Sequence, residues 1–232
     1  MAKHIGIVAC SAEGAALCYR TICAEAAPRM GEHAHPEISM HTFCLAEYVV
    51  GIRRGDWQAV AALMLASAVK LADCGAAFLI CPDNTIHQAL PLVRRQSPLP
   101  WLHIAEEVAT VAERRGYRKL AISGTKYLMT GPVYTEALRA RGIAWEIPDD
   151  DERERIDRII FTQLVYGRFP EDARLYFNEV YARLAERGCD AAVMGCTEIP
   201  LLVDPRDCPL PVLDSTRLLA RAALDYALTE DT

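Results

Sequence analysis

Two short clusters in this 232-residue sequence carry groups able to move protons: CPDNT, from Cys81 to Thr85, and GCTEI, from Gly195 to Ile199. Each follows an apolar run, FLI before the first and AAVM before the second. Asp83 and Cys196 both stand eight residues past a glycine, Gly75 and Gly188, that closes a segment of helical period, so the chain carries one supersecondary unit twice. A proton-transferring group on each side of a pocket suits inversion at a carbon acid, because one group removes the proton and the other returns it to the opposite face. With ordinary pKa values of about 3.9 for Asp and about 8.5 for Cys, neutral pH leaves one base and one acid in place. The reversed protonation pattern is disfavoured by roughly 4 to 5 pKa units, about 6 kcal/mol; burial of the carboxyl or a helix N-terminus beside the thiol narrows that gap.

A second register is open. CGAAFLIC, from Cys74, matches CDAAVMGC, from Cys189, without gaps and sets Cys81 against Cys196. The polar residues that follow, Asn84-Thr85 and Thr197-Glu198, favour Asp83; in a continuing strand Cys81 points the same way one layer deeper. Plainer roles compete as well. Asp83 fits a helix N-cap, a role compatible with catalysis, and Glu198 either assists Cys196 or serves the first turn of its helix. His87 and His103 lack partners at ligand spacing and read as structural, as do His33, His35 and His41. PDDDERER, from Pro148, reads as a helix start with a solvated face.

The elements that must position these groups alternate between short β-type runs and longer helical ones, the pattern of an α/β protein with mainly parallel sheets. Strands are expected at Ile5 to Ala9, Ile38 to Cys44, Ala77 to Cys81, Lys119 to Ile122, Ala144 to Ile147, Ala191 to Met194 and Pro211 to Leu213. Trp57 to Cys74 and Glu171 to Arg187 carry apolar stripes and precede the two reactive clusters. Parallel strands deliver ligands to their C-terminal ends, where both clusters fall. The expected organisation is two α/β domains, residues 1–97 with 209–232 and residues 98–208.

A formal net charge of −6, with scattered Lys and Arg, excludes a nucleic-acid footprint and points to a small-molecule partner. No apolar run approaches a membrane span and the N-terminus enters a strand pattern at once, so the expected location is the cytoplasm. Nine cysteines without a CxxC pair read as reduced thiols and core fillers, Cys10 and Cys81 among them, and no metal site is expected.

The segments IGIVACSAEGAALCYRTI, CPDNTIHQAL and above all MGCTEIPLLV resemble the aspartate/glutamate racemase family, which racemises without pyridoxal phosphate. RRGDW, LPWLHIAEE, ISGTKYLM, DERERIDRIIF and LPVLDSTRLLARAA extend the resemblance over essentially the whole chain. It implies two similar domains, each a mainly parallel sheet flanked by helices, related by pseudo-twofold symmetry with the active site between them. It also implies no cofactor and a homodimer. Cys196 falls on the second catalytic cysteine. The first catalytic position, a cysteine in typical members and a threonine in a subgroup, is Asp83 here. Ser11, Asn84 and Thr85 match positions on the substrate α-carboxylate, Thr125 and Thr197 match further polar contacts, and Glu198 stands beside the cysteine. Some members hold a distal carboxylate with an Arg and a Lys; Leu45 and Val165 lie in those regions here. The same superfamily also contains decarboxylases that use one cysteine, here Cys196, and a chain lacking the first cysteine could bind a carboxylate without turning it over.

Overall fold

The computed structural model describes residues 2–229. Along the chain run β1 (Ile5–Ala9), α1 (Ala12–Met30), β2 (Ile38–Thr42), α2 (Leu45–Arg54), α3 (Trp57–Asp73), β3 (Phe78–Ile80), α4 (Leu90–Arg94) and α5 (Ile104–Arg114). There follow β4 (Lys119–Ser123), α6 (Lys126–Thr130), α7 (Pro132–Arg139), β5 (Ala144–Glu146), α8 (Asp150–Thr162), α9 (Glu171–Glu186), β6 (Ala191–Met194), α10 (Ile199–Leu202), β7 (Val212–Asp214) and α11 (Ser215–Ala227). The chain divides into two units: the first runs to Ile104 and resumes at Thr216, and the second is Ala105–Ser215.

Unit 1 holds a parallel sheet of order β2-β1-β3. Every residue of IGIVA in β1 is buried, as a strand covered by helices on both faces requires. Its odd-numbered residues Ile5, Ile7 and Ala9 pack with Phe78 and Ile80 of β3 against α1 and α11. Its even-numbered residues therefore face the other way. β1 and β3 lie close because position 6 is glycine: a Cβ there would stand 2.6 Å from Leu79 Cδ2 and 3.3 Å from the Phe78 carbonyl.

Unit 2 holds a parallel sheet of order β5-β4-β6-β7, with Ala121, Ala192 and Met194 packed against Phe177, Val180 and Leu184 of α9. The expected repeat is visible in the elements that lead to the two clusters. Asp56 caps α3 by accepting from Ala59 N, and the buried stripe Val60, Met64, Ala68 and Leu71 follows. α9 buries Ala173, Phe177, Val180 and Leu184 in the same manner. Both helices are followed by glycines in the left-handed region, Gly75 at φ 89° and Gly188 at φ 86°.

The division points lie several residues beyond 97/98 and 208/209, for a reason found in the sheets. Residues 100–102 hydrogen-bond along β3, with Leu79 N donating to Pro100 O (2.8 Å) and Leu102 N donating to Leu79 O (3.1 Å), so they extend unit 1. β7 pairs with β6 and belongs to unit 2, a placement that no motif signals. β2, β3 and β5 are shorter than expected, and β4 runs one residue longer; β2 stops at Thr42, because Cys44 is already the N-cap residue of α2.

Candidate active site

In unit 1 the reactive cluster gathers at the C-terminal ends of β1 and β3. Ser11 is the N-cap of α1: its hydroxyl oxygen accepts from Gly14 N (3.3 Å), while its own amide donates to Asp83 Oδ2 (3.0 Å). The half-buried Asp83 carboxylate thus reaches across to a residue 72 positions away. The N-cap position of the following turn belongs to Asn84, which is buried, and Thr85 opens a 3-10 turn, Thr85–Ala89, where the sequence suggested an α-helix start. Cys81 is fully buried, its thiol donating to the Asp83 carbonyl (3.8 Å). Burial pushes that thiol well above the ordinary cysteine range, and the neighbouring Asp83 adds to the shift. An inert thiol is the consequence.

Behind this cluster His87 Nε2 donates to the Cys81 carbonyl (2.9 Å), and the His87 and His103 rings meet edge to face with centroids 4.6 Å apart. Burial lowers the His103 pKa to about 4, with Arg94 contributing. These histidines fix backbone and fill space beside the site. Tyr48 of α2 was not singled out in the sequence, yet it is fully buried beside Cys81, Cys10 and Asp83; burial above all drives its pKa far above the usual tyrosine range.

In unit 2 the ladder between β4 and β6 continues one step, with Gly195 N donating to Ser123 O (2.8 Å). Position 195 tolerates no side chain, since a Cβ would stand 2.7 Å from the Ser123 carbonyl and 2.5 Å from Leu128 Cδ2. The chain then turns and presents Cys196, half-buried, beside two buried neighbours. Cys196 Sγ donates to Glu198 Oε2 (2.9 Å), and Thr197 Oγ1 donates to the same oxygen (2.8 Å). Glu198 is only 2% exposed. Its carboxylate turns to the thiol, 2.9 Å from sulfur, and makes no capping bond to the turn that follows. Thr125, buried at the end of β4, caps α6 by accepting from Leu128 N (3.2 Å).

Unit 1 therefore brings Ser11, Asp83, Asn84 and Thr85 to one strand end, and unit 2 brings Thr125, Cys196, Thr197 and Glu198 to another. Arg53 and Arg54 end α2 exposed, and the PDDDERER segment starts α8 with Asp149 and Glu152 in a capping box. Not every cysteine is a core filler, since Cys44 and Cys74 are exposed; none of the nine is in a disulfide. Among the described residues no group of three His, Cys, Asp or Glu side chains could hold a metal ion, and no helix is long and apolar enough to cross a membrane.

Two α/β units, each ending parallel strands in a group able to transfer a proton on a hydrogen-bonded support, form an arrangement suited to acid–base chemistry. Residues 5–223 match the model of the Asp/Glu/Hydantoin racemase family, and the chain belongs to that family. Racemases are isomerases, and membership sets that as the enzyme class.

Similar proteins agree. The broad-specificity amino-acid racemase RacX of Bacillus subtilis is 23% identical over 162 residues, 69% of this chain and 69% of that protein. A crystal structure of a candidate Asp/Glu racemase from Yersinia pestis shares 33% identity and superposes with a TM-score of 0.89, covering 98% of this chain and 100% of the other. An aspartate racemase homologue from Pyrococcus horikoshii shares 26% identity at a TM-score of 0.83, covering 98% and 99%.

Proposed function

We propose that this chain is a cofactor-independent amino-acid racemase or epimerase in which Asp83 and Cys196 act on opposite faces of one α-carbon. The observation that carries the reading is the Cys196 thiol held 2.9 Å from a buried carboxylate at a parallel strand end, in a chain of this family. In one direction the Asp83 carboxylate takes the α-proton, the C–H electron pair passes to the carbon and its carboxylate, and the Cys196 S–H bond breaks to supply a proton to the far face. In the other direction the Cys196 thiolate removes the α-proton, its S–H bond re-forming, while the Asp83 O–H bond breaks to supply the opposite face; before that direction runs, Cys196 passes its proton through Glu198 to solvent and Asp83 takes one up. Glu198 thereby gives the Cys196 proton a path between the two protonation patterns.

Ser11 supports this scheme by orienting the Asp83 carboxylate, and Asn84, Thr85, Thr125 and Thr197 are assigned to the substrate's polar groups. Leu45 and Val165 stand where a cation would hold a distal carboxylate, which favours substrates with short or apolar side chains. The reading extends to a cytoplasmic homodimer, on the strength of the family resemblance.

The test is chiral chromatography after incubating the protein with a panel of L- and D-amino acids, aspartate and glutamate included. Formation of the antipode by the native chain and its loss in Cys196→Ala are expected; antipode formation that survives Cys196→Ala would overturn the mechanism. Loss of carbon dioxide from malonate-type acids, with amino acids left unchanged, would replace it with the single-thiol decarboxylase.

A further inference from the structure

The two clusters have opposite composition, and the difference is visible in burial. In unit 2 the half-buried member is the thiol of Cys196 and the buried member is the carboxylate of Glu198. In unit 1 the half-buried member is the carboxylate of Asp83. Its own strand-end neighbour is a cysteine the sequence reading left among the core fillers. β1 and β3 pair in parallel with Ile5 opposite Phe78, Gly6 opposite Leu79 and Ile7 opposite Ile80, and the same register carried forward sets Cys10 opposite Asp83. Ser11 N, bonded to the Cys10 carbonyl carbon, lies 3.0 Å from Asp83 Oδ2, so the two chains remain side by side beyond the last strand residue.

Alternation places the side chains too. Ile5, Ile7, Ala9, Phe78 and Ile80 point to α1 and α11, so Cys10, Cys81 and Asp83 share the opposite face. Tyr48 lies beside all three. The Cys81 thiol donates to the Asp83 backbone carbonyl, and Cys10, 6% exposed, stands opposite Asp83 in the extended register.

We infer that Cys10 is a positioning residue whose thiol donates a hydrogen bond to the Asp83 carboxylate, so that unit 1 repeats the thiol–carboxylate pair of unit 2 with the two roles exchanged. The inference rests on the racemase reading only for its catalytic consequence: Cys10 and the Ser11 amide together hold Asp83 aimed and ionised as the resting base. Among the titratable groups that act in this neighbourhood are Cys10 from the end of β1, Tyr48 from α2 and Cys81 from the end of β3, with Cys18 of α1 acting on Cys81. A hydrogen bond donated to an ionised carboxylate lowers its pKa, so removal of the donor has a measurable effect.

The test follows the Asp83 side-chain carboxyl by carbon-13 NMR in aspartate-labelled protein, with Asp83→Asn identifying the signal. Cys10→Ala removes a donor to the charged form and is expected to raise the titration midpoint by about 0.5 to 1 pH unit, the effect of a weak donor on an ionised partner. Cys10→Ser restores an O–H donor and is expected to bring the midpoint back to the native value or below it. The low-pH limb of kcat/KM should move in step. A midpoint unchanged in Cys10→Ala, or raised equally by Cys10→Ser, would overturn the inference. The titration needs no substrate, so a chain that fails to racemise leaves the Cys10 result standing, and a chain that racemises does not rescue it.

Discussion

Replacing Glu198 by Gln keeps the shape of a buried side chain and removes its charge, and the geometry around Cys196 predicts two effects of opposite sign. Glu198 Oε2 accepts from both Cys196 Sγ (2.9 Å) and Thr197 Oγ1 (2.8 Å) with 2% of the residue exposed, so water has little access to replace either bond. A hydrogen bond to a charged group is worth about 1.5–3 kcal/mol. Here it favours the protonated thiol, because a thiolate in that place would face a carboxylate. Losing it shifts the balance toward thiolate by roughly ten- to a hundredfold, since each 1.36 kcal/mol is a factor of ten. Cys196 in Glu198→Gln should therefore react with iodoacetamide at pH 7 about ten- to a hundredfold faster, read at this cysteine by peptide mass spectrometry. Racemisation should fall by about 10²–10⁴, because the thiol has lost the base that takes its proton. A faster thiol and a slower enzyme together are the signature. An alkylation rate within twofold of native would show that the thiol is not held by Glu198 and would refute this account of the motif.

Two further consequences concern stability and pH. Gly195→Ala drives a Cβ to 2.7 Å from the Ser123 carbonyl, a backbone atom that also receives the Gly195 amide, so about 1–3 kcal/mol of stability should be lost in urea unfolding together with most activity; unchanged unfolding would mean the β4–β6 contact relaxes freely. His103, held at about 4 in the fold against about 6.5 when unfolded, leaves the unfolded chain binding the extra proton between those values. Stability should thus fall as pH drops from about 6.5 toward 4, by up to about 3 kcal/mol, and level off below. His103→Leu should remove that component of the slope, and an identical slope in the variant would exclude His103 as its source.

Much of this arrangement is written locally in the sequence. Gly75 and Gly188 mark helix ends because left-handed backbone favours glycine, and the apolar runs after them can only be buried strands, so the sequence itself puts Asp83 and Cys196 just past strand ends. GCTEI announces its own geometry for the same reason: Gly195 allows the close approach and Glu198 lies within reach of the thiol two residues before it.

Long-range pairings are less legible. That residues 100–102 lie along β3, or that β7 stays with β6, depends on backbone hydrogen bonds which no side-chain pattern encodes. Tyr48 gives no signal, because it reaches the Asp83 side of the sheet from a separate helix. Cys10 did leave a trace. It stands five residues into β1 from Ile5 as Asp83 does from Phe78, but that equality has meaning only once the two strands are known to pair in this register. The sequence predicts a helix start after Asp83, and the chain forms a 3-10 turn there, in which Asn84, rather than Asp83, takes the cap position while the carboxylate accepts from the Ser11 amide at the N-cap of α1.

The central claim, that two different groups work on opposite faces of one carbon, is tested most directly by α-proton exchange in deuterium oxide, followed separately for each enantiomer of a substrate. The native protein should exchange both enantiomers. Asp83→Asn should retain exchange only of the enantiomer whose α-proton faces Cys196, and Cys196→Ala only of the other. Exchange of both enantiomers in either variant, or of neither in both, would contradict the two-face mechanism.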